Sequence, residues 1–243
     1  MKEVSFAVNS NASLEVLAVG RTRTPVIVID DFGVDIAGMI DYACESAEYG
    51  PDTASKYPGL RARLPNTYIK LVLQQIYRLL FSVYSVPADL GLKAVNAAYS
   101  LITTPETELK PEQCRPHFDS KRPNYLAILH YLNAGPFCDT GLFRHRATGL
   151  ERITEGNAVS YFKSCEAHDA AYGKPGRAYV KESNEQYELY HRVEYRPNRL
   201  VAYPGCLLHS GLVDPAVDVN SNPRTGRLTA NIFVDFFPLD SQG

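Results

Sequence analysis

Two histidines and one aspartate in this chain have the types and spacing to hold a metal ion. His117 and Asp119 lie two apart in Arg115-Pro116-His117-Phe118-Asp119. On an extended backbone, side chains two apart project from one face, so the imidazole and the carboxylate converge on a common point. His209, in Tyr203-Pro204-Gly205-Cys206-Leu207-Leu208-His209-Ser210-Gly211, supplies a third donor once folding brings it in. Two imidazoles and a carboxylate form the face that binds non-haem Fe(II) and leaves coordination positions open. A lone His-x-Asp also arises by chance, and the Leu-Leu-His-Ser-Gly setting of His209 suits a buried histidine satisfied by backbone. The reading therefore rests on the three residues together with what surrounds them.

Composition narrows the classes of function. The chain has 243 residues, 45% hydrophobic and 21% charged, which suits a soluble globular protein, and the expected arrangement is a single domain over 1–243. A formal net charge of -2 supplies no basic field for phosphates, so nucleic acid is not an expected partner. No apolar run is long enough to span a bilayer, and the first residues lack the apolar core of a secretion signal. The expected location is cytoplasmic. Cys44, Cys114, Cys138, Cys165 and Cys206 are odd in number and scattered, which points to reduced thiols rather than a disulfide framework.

The elements that must position the candidate residues divide the chain in two. Residues 1–94 read as an α/β supporting layer. Alternation over 4–8 and the β-branched run 25–30 predict strands, Asp35 opens a helix carrying Ile36, Ile40, Ala43 and Ala47, and a loop rich in Pro and Tyr runs to Pro65. The strongest helix begins near Asn66 or Thr67, with Ile69, Val72, Leu73, Ile76, Leu79, Leu80 and Val83 on one apolar face. Residues 95–243 read as short strands and turns, with strands expected over 95–103, 124–133, 142–145, 158–162, 191–195, 200–203 and 227–236. Between 163 and 188 the sequence predicts a polar, irregular insertion of the kind that forms lids. In 227–236 one face is Leu228, Ala230, Ile232, Val234 and Phe236, and the other is Arg227, Thr229, Asn231, Phe233 and Asp235. The apolar face can pack on the helices and leave the polar face to line a barrel mouth.

His117-Phe118-Asp119, the strand Ala127 to Asn133, the turn Asp139-Thr140-Gly141-Leu142-Phe143, His209 and Arg227-Leu228-Thr229 occur in an order that resembles Fe(II)/2-oxoglutarate-dependent oxygenases. The likeness is to the prolyl-4-hydroxylase-like branch and its uncharacterised bacterial relatives, and covers roughly Leu109 to Phe237. It implies a mainly β fold with supporting α-helices, the double-stranded β-helix or jelly-roll, cupin-like barrel. It also implies iron ligation by His117, Asp119 and His209, with Arg227, Thr229 and Tyr131 meeting the distal carboxylate of 2-oxoglutarate. The implied activity is a dioxygenase, a hydroxylase using O2 and releasing succinate and CO2, acting on a small-molecule or peptidyl substrate.

Physical chemistry agrees with those roles, because a planar guanidinium binds a carboxylate through two parallel charge-assisted hydrogen bonds. Two departures stand beside the likeness. Arg227 follows His209 by 227 - 209 = 18 residues, a long gap that makes Arg224 a rival for the carboxylate, and Thr140-Gly141 stands where relatives tend to carry paired glycines. Two other classes fit the same ligands: a metal-binding jelly-roll sensing module without turnover, and a zinc hydrolase.

Overall fold

The computed structural model describes residues 6–52 and 56–239. In chain order these form β1 (Ser13–Val19), β2 (Thr24–Asp30), α1 (Ala37–Glu45), β3 (Gly50–Pro51), β4 (Gly59–Arg63), α2 (Asn66–Val83), β5 (Leu90–Ile102), β6 (Leu126–Tyr131), β7 (Thr140–His145), α3 (Ala158–Tyr172), β8 (Tyr187–Val193), β9 (Leu200–Pro204), β10 (His209–Gly211), α4 (Pro215–Asp218) and β11 (Thr229–Pro238). The strands make two antiparallel sheets, one of eight in the order β1-β2-β9-β6-β11-β5-β4-β3 and one of three in the order β10-β7-β8. The protein is mainly β, with helices laid on the sheets.

The two faces of β11 set the layers. Leu228, Ala230, Ile232, Val234 and Phe236 join Met39 and Ala43 of α1 and Tyr68, Val72, Ile76 and Leu80 of α2 in the largest core. The spacing of four along α2 places those residues on one stripe, as helical periodicity requires. α2 stops where Ser85 turns left-handed at φ 50° and the Val86 N–H returns to Phe81 O at 3.0 Å. On the opposite face of the large sheet, Ala127, Leu129, Val201, Tyr203 and Phe233 pack toward Leu142 and Val193 of the small one. The candidate site lies in this space between the sheets.

Four sequence expectations need correction. Residues 158–162 form the start of α3 rather than a strand, because Ala158, Tyr161 and Cys165 continue at helical spacing and are buried together. The 163–188 insertion is accordingly helical as far as Tyr172, and only the stretch from Gly173 to Gln186 is irregular. The loop before Pro65 contains β4, which pairs with β5 from Gly59↔Ile102 to Arg63↔Ala98. Of the strand expected over 4–8, Val4 lies outside the described residues, and Val8 makes a single bridge to Gly33. No helix among the described residues is long and apolar enough to cross a membrane.

One buried histidine links the layers without joining the site. His130 is fully buried; its Nδ1 lies 2.9 Å from Tyr68 Oη on α2 and its Nε2 3.1 Å from Asn198 Oδ1. Asn198 is itself oriented by Gly33, whose N–H donates to Oδ1 and whose carbonyl accepts from Nδ2, both at 2.8 Å. Its oxygen therefore faces the ring, so Nε2 carries the hydrogen and Nδ1 accepts from the tyrosine.

Burial pushes His130 down to about 4. The unfolded chain takes up a proton near pH 6.5 that the folded protein refuses until about pH 4, so stability falls as pH drops through that window. The expected loss between pH 7.5 and 4.5 is about 2.5 kcal/mol from this group. Urea unfolding of His130→Gln at both values should show that much less acid sensitivity than wild type. Equal sensitivity in the two proteins would remove His130 as the cause.

Candidate metal centre

His117 and His209 are brought together by main chain. The His117 N–H donates to His209 O at 2.9 Å and the His209 N–H to His117 O at 2.8 Å, an antiparallel bridge between distant segments. Their rings sit 4.4 Å apart, centroid to centroid. β10 holds the second histidine in register with Leu142 of β7. The turn between β9 and β10 carries Asp119, whose N–H donates to Gly205 O at 2.7 Å. Only glycine suits that turn, because a Cβ at 205 would lie 2.6 Å from the Tyr125 ring and 3.2 Å from Asp119 Cβ.

The three side chains converge as expected. His117 Nε2 lies 3.9 Å from Asp119 Oδ1, and His209 Nε2 lies 3.6 Å from Asp119 Oδ2. All three ligand atoms fall within 4.8 Å of one another. His209 Nδ1 donates to Leu207 O at 2.9 Å, which fixes the tautomer and leaves the Nε2 lone pair directed at the aspartate. Asp119 Oδ2 is buried and accepts no hydrogen bond. A carboxylate oxygen stripped of water and donors is costly unless a cation meets it, and two imidazole nitrogens beside it complete the donor set.

The surroundings favour the ligand form of one donor and work against that of another. Burial, then the neighbouring His209, Arg61 and Lys56, hold His117 well below the usual imidazole range, so its ring is neutral. Burial raises the Asp119 carboxyl, opposed by His209 and Arg61. Metal ligation requires the neutral imidazole and the ionised carboxylate, so a bound dication would favour both states.

A cavity of about 570 Å³ opens onto the three ligands and also reaches Arg227, Thr229, Thr140 and Asn231. Arg227 is 5% exposed, and its Nε donates to Cys138 O at 3.0 Å. Its guanidinium carbon lies 5.4 Å from the Tyr131 ring centroid and 5.3 Å from that of Tyr195, beside the stacked pair that those two rings make with centroids 4.7 Å apart. No carboxylate among the described residues forms an ion pair with Arg227, so its terminal nitrogens remain available to the cavity. Tyr131 does not face the cavity; its hydroxyl sits 2.8 Å from Thr140 Oγ1, behind the wall that Thr140 forms.

The rival arginine is elsewhere. Arg224 is turned to the surface, where it pairs with Asp41 of α1 at 2.9 Å. The long segment before Arg227 is held by its own bonds, including Gly226 N–H to Asn222 O at 2.8 Å, and by Asn133 Nδ2 donating to Gly226 O at 2.7 Å. Its extra length is thus folded on itself, and none of residues 214–226 lines the cavity.

Sequence reasoning did not identify Arg61 and Tyr57, which enter the cavity from the stretch read as a loop. Tyr179, one of the tyrosines that the 163–188 insertion offers for stacking on a ligand or covering a core, lines the cavity from the irregular segment after α3. Tyr179 is pinned by its hydroxyl donating to Thr104 O at 2.7 Å and by Glu106 Oε1 accepting its N–H at 3.0 Å. The Pro and Tyr content of the first stretch marked it only as a loop, and no spacing singled out Arg61.

A family model matches residues 10–234, nearly the whole described chain. The chain belongs to the family of unknown function DUF6445. No curated protein matches this DUF6445 chain in sequence. Among solved structures, an N-substituted L-amino acid dioxygenase from Burkholderia ambifaria AMMD is 12% identical with a TM-score of 0.37, the match covering 90% of this chain and 84% of that one. The same enzyme in complex with alpha-KG is 9% identical with a TM-score of 0.31 and the same coverages. A likeness this loose decides nothing about the chemistry of the DUF6445 chain, which is argued from its own residues.

Proposed function

We propose that this protein is an Fe(II)- and 2-oxoglutarate-dependent dioxygenase, a hydroxylase built on a double-stranded β-helix. The observation that carries the reading is the pairing of two features in one cavity: an Asp119 carboxylate with an orphaned oxygen beside two imidazole nitrogens, and a buried arginine without a carboxylate partner among the described residues. A zinc hydrolase on the same ligands has no use for the second feature.

His117, Asp119 and His209 would hold Fe(II), which together with 2-oxoglutarate and O2 would supply oxidative chemistry on a substrate C–H bond with release of succinate and CO2. The protein's own work is placement. The Leu207 carbonyl holds the His209 ring, and the main-chain bridge fixes the separation of the two histidines. Arg227 would grip the far carboxylate of the keto acid through its terminal nitrogens, with Thr229 adding a hydroxyl from the same strand face. Tyr131 and Tyr195 pack beside that guanidinium and shield it from water on that side. The aromatic walls formed by Tyr203, Phe233 and Phe118 shed water around the reacting centre.

Anaerobic addition of Fe(II) and then 2-oxoglutarate tests the reading. A visible metal-to-ligand charge-transfer band is expected once the keto acid chelates the metal. Metal uptake with no keto-acid binding would instead leave a metal-holding module, and ester or amide hydrolysis indifferent to O2 would make it a hydrolase.

A further inference from the structure

The cavity is more cationic than the keto acid alone requires. Lys56, Arg61, Arg115 and Arg227 line it against the carboxylates of Glu112 and Asp119. Arg115 turns toward α3, where its Nη2 meets both oxygens of Asp169 at 3.1 Å. Arg61 has no role in the reading so far, and its charge acts on both His117 and Asp119.

Its placement follows from sheet register. Arg61 pairs with Ser100, and Ser100 pairs with Thr229, so the three stand in one cross-strand row on the face that floors the cavity. The guanidinium is held 4.6 Å from the Tyr57 ring centroid and 5.8 Å from that of Phe233. Asp52 takes Nη1 at 2.8 Å, while Nε is buried and donates to nothing. One row along, Asn231 donates from Nδ2 to Ser100 Oγ at 3.3 Å, and its Oδ1 is buried without a donor. Arg61 and Asn231 both line the cavity, and each keeps one buried polar atom without a partner, which is costly to the fold.

We infer that Arg61 and Asn231 form the substrate subsite and that the substrate is a small organic acid, its carboxylate on Arg61 and a neighbouring hydroxyl or N–H on Asn231. This rests on the dioxygenase reading, in which Arg227 is already committed to the keto acid. A guanidinium fixed between two rings presents a flat edge that matches a planar carboxylate. The volume of about 570 Å³, shared with 2-oxoglutarate, suits a small molecule. The rings of Phe233 and Phe118 would take an apolar body.

The test uses the whole protein loaded with 2-oxoglutarate and with Ni(II) in place of iron, so that binding is read without turnover. Calorimetry with 3-phenylpropanoate and 3-phenyllactate, each against its own carboxamide, measures the preference. The acids should bind at least tenfold tighter than the amides, and phenyllactate tighter than phenylpropanoate. Arg61→Gln should erase the preference for the acid, Arg61→Lys should keep part of it, and Asn231→Leu should erase only the advantage of the hydroxyl. The affinity of these variants for 2-oxoglutarate should stay within threefold of wild type, which also shows that they are folded. Acids that bind no tighter than their amides, or an Arg61→Gln protein that loses 2-oxoglutarate instead, would overturn the assignment. A wild-type protein that takes up no 2-oxoglutarate would overturn the dioxygenase reading first.

Discussion

His209→Ala is expected to lower Fe(II) affinity by at least ~100-fold, since even outer-shell partners of metal ligands are worth 10–100-fold. The substitution removes one of three donors and leaves Asp119 Oδ2 with His117 as its only imidazole neighbour. Stability should change far less. The bridge that joins segments 117 and 209 is made by backbone atoms, at 2.8 and 2.9 Å, and an alanine keeps both bonds. What is lost in the fold is the Nδ1 bond to Leu207 O and the packing of the ring against Tyr203, 5.0 Å away between centroids. Together these are worth about 2 kcal/mol. Metal titration followed by calorimetry, with urea unfolding of the metal-free proteins alongside, separates the two effects. Undiminished affinity in the variant would show that the cation, if any, is held elsewhere.

Arg227→Ala should spare the metal and lose the keto acid. Fe(II) affinity is expected within about threefold of wild type, because the guanidinium touches none of the three ligands, whereas 2-oxoglutarate should bind ~100- to 1000-fold more weakly. That range corresponds to about 3–4 kcal/mol, the worth of a bidentate charge-assisted pair in a site shielded from water. Arg227→Lys should recover little, because an ammonium cannot present two parallel donors in one plane. Without keto acid the alanine variant should be about as stable as wild type. A buried cation with no carboxylate partner is a burden on the fold, and its removal offsets the lost bond to Cys138 O. The charge-transfer titration with Fe(II) held constant measures the effect, and a lysine variant equal to wild type would argue against the flat, two-bond contact.

Much of the frame was legible because its signals are periodic. The apolar stripe of α2 predicted a start near Asn66 or Thr67, and the helix begins at Asn66; alternation along 227–236 separated the face that packs on helices from the face that lines the cavity. The convergence of His117, Asp119 and His209 followed from two-residue spacing plus one long-range guess, and the side chains do meet. What escaped notice has no period. Gly59-Leu-Arg-Ala-Arg63 carries little apolar alternation, so β4 and with it Arg61 were hidden until three strands in register showed which face the arginine occupies. Residues 158–162 have the β-branched and aromatic content of a strand, and only the burial of Cys165 one turn further on reveals a helix. The choice between Arg224 and Arg227 was open for a different reason: loop length says nothing about direction, and Asp41, which holds Arg224, is 183 residues away.

The bridge between His117 and His209 also sets a timetable. The two residues are 209 - 117 = 92 positions apart, so a ribosome adding about 5–20 residues per second exposes the second roughly 5–18 s after the first. During that interval His117 and Asp119 have no third partner and no opposing strand. A cation held by all three residues would therefore have to enter after the second histidine is made, when most of the chain already exists.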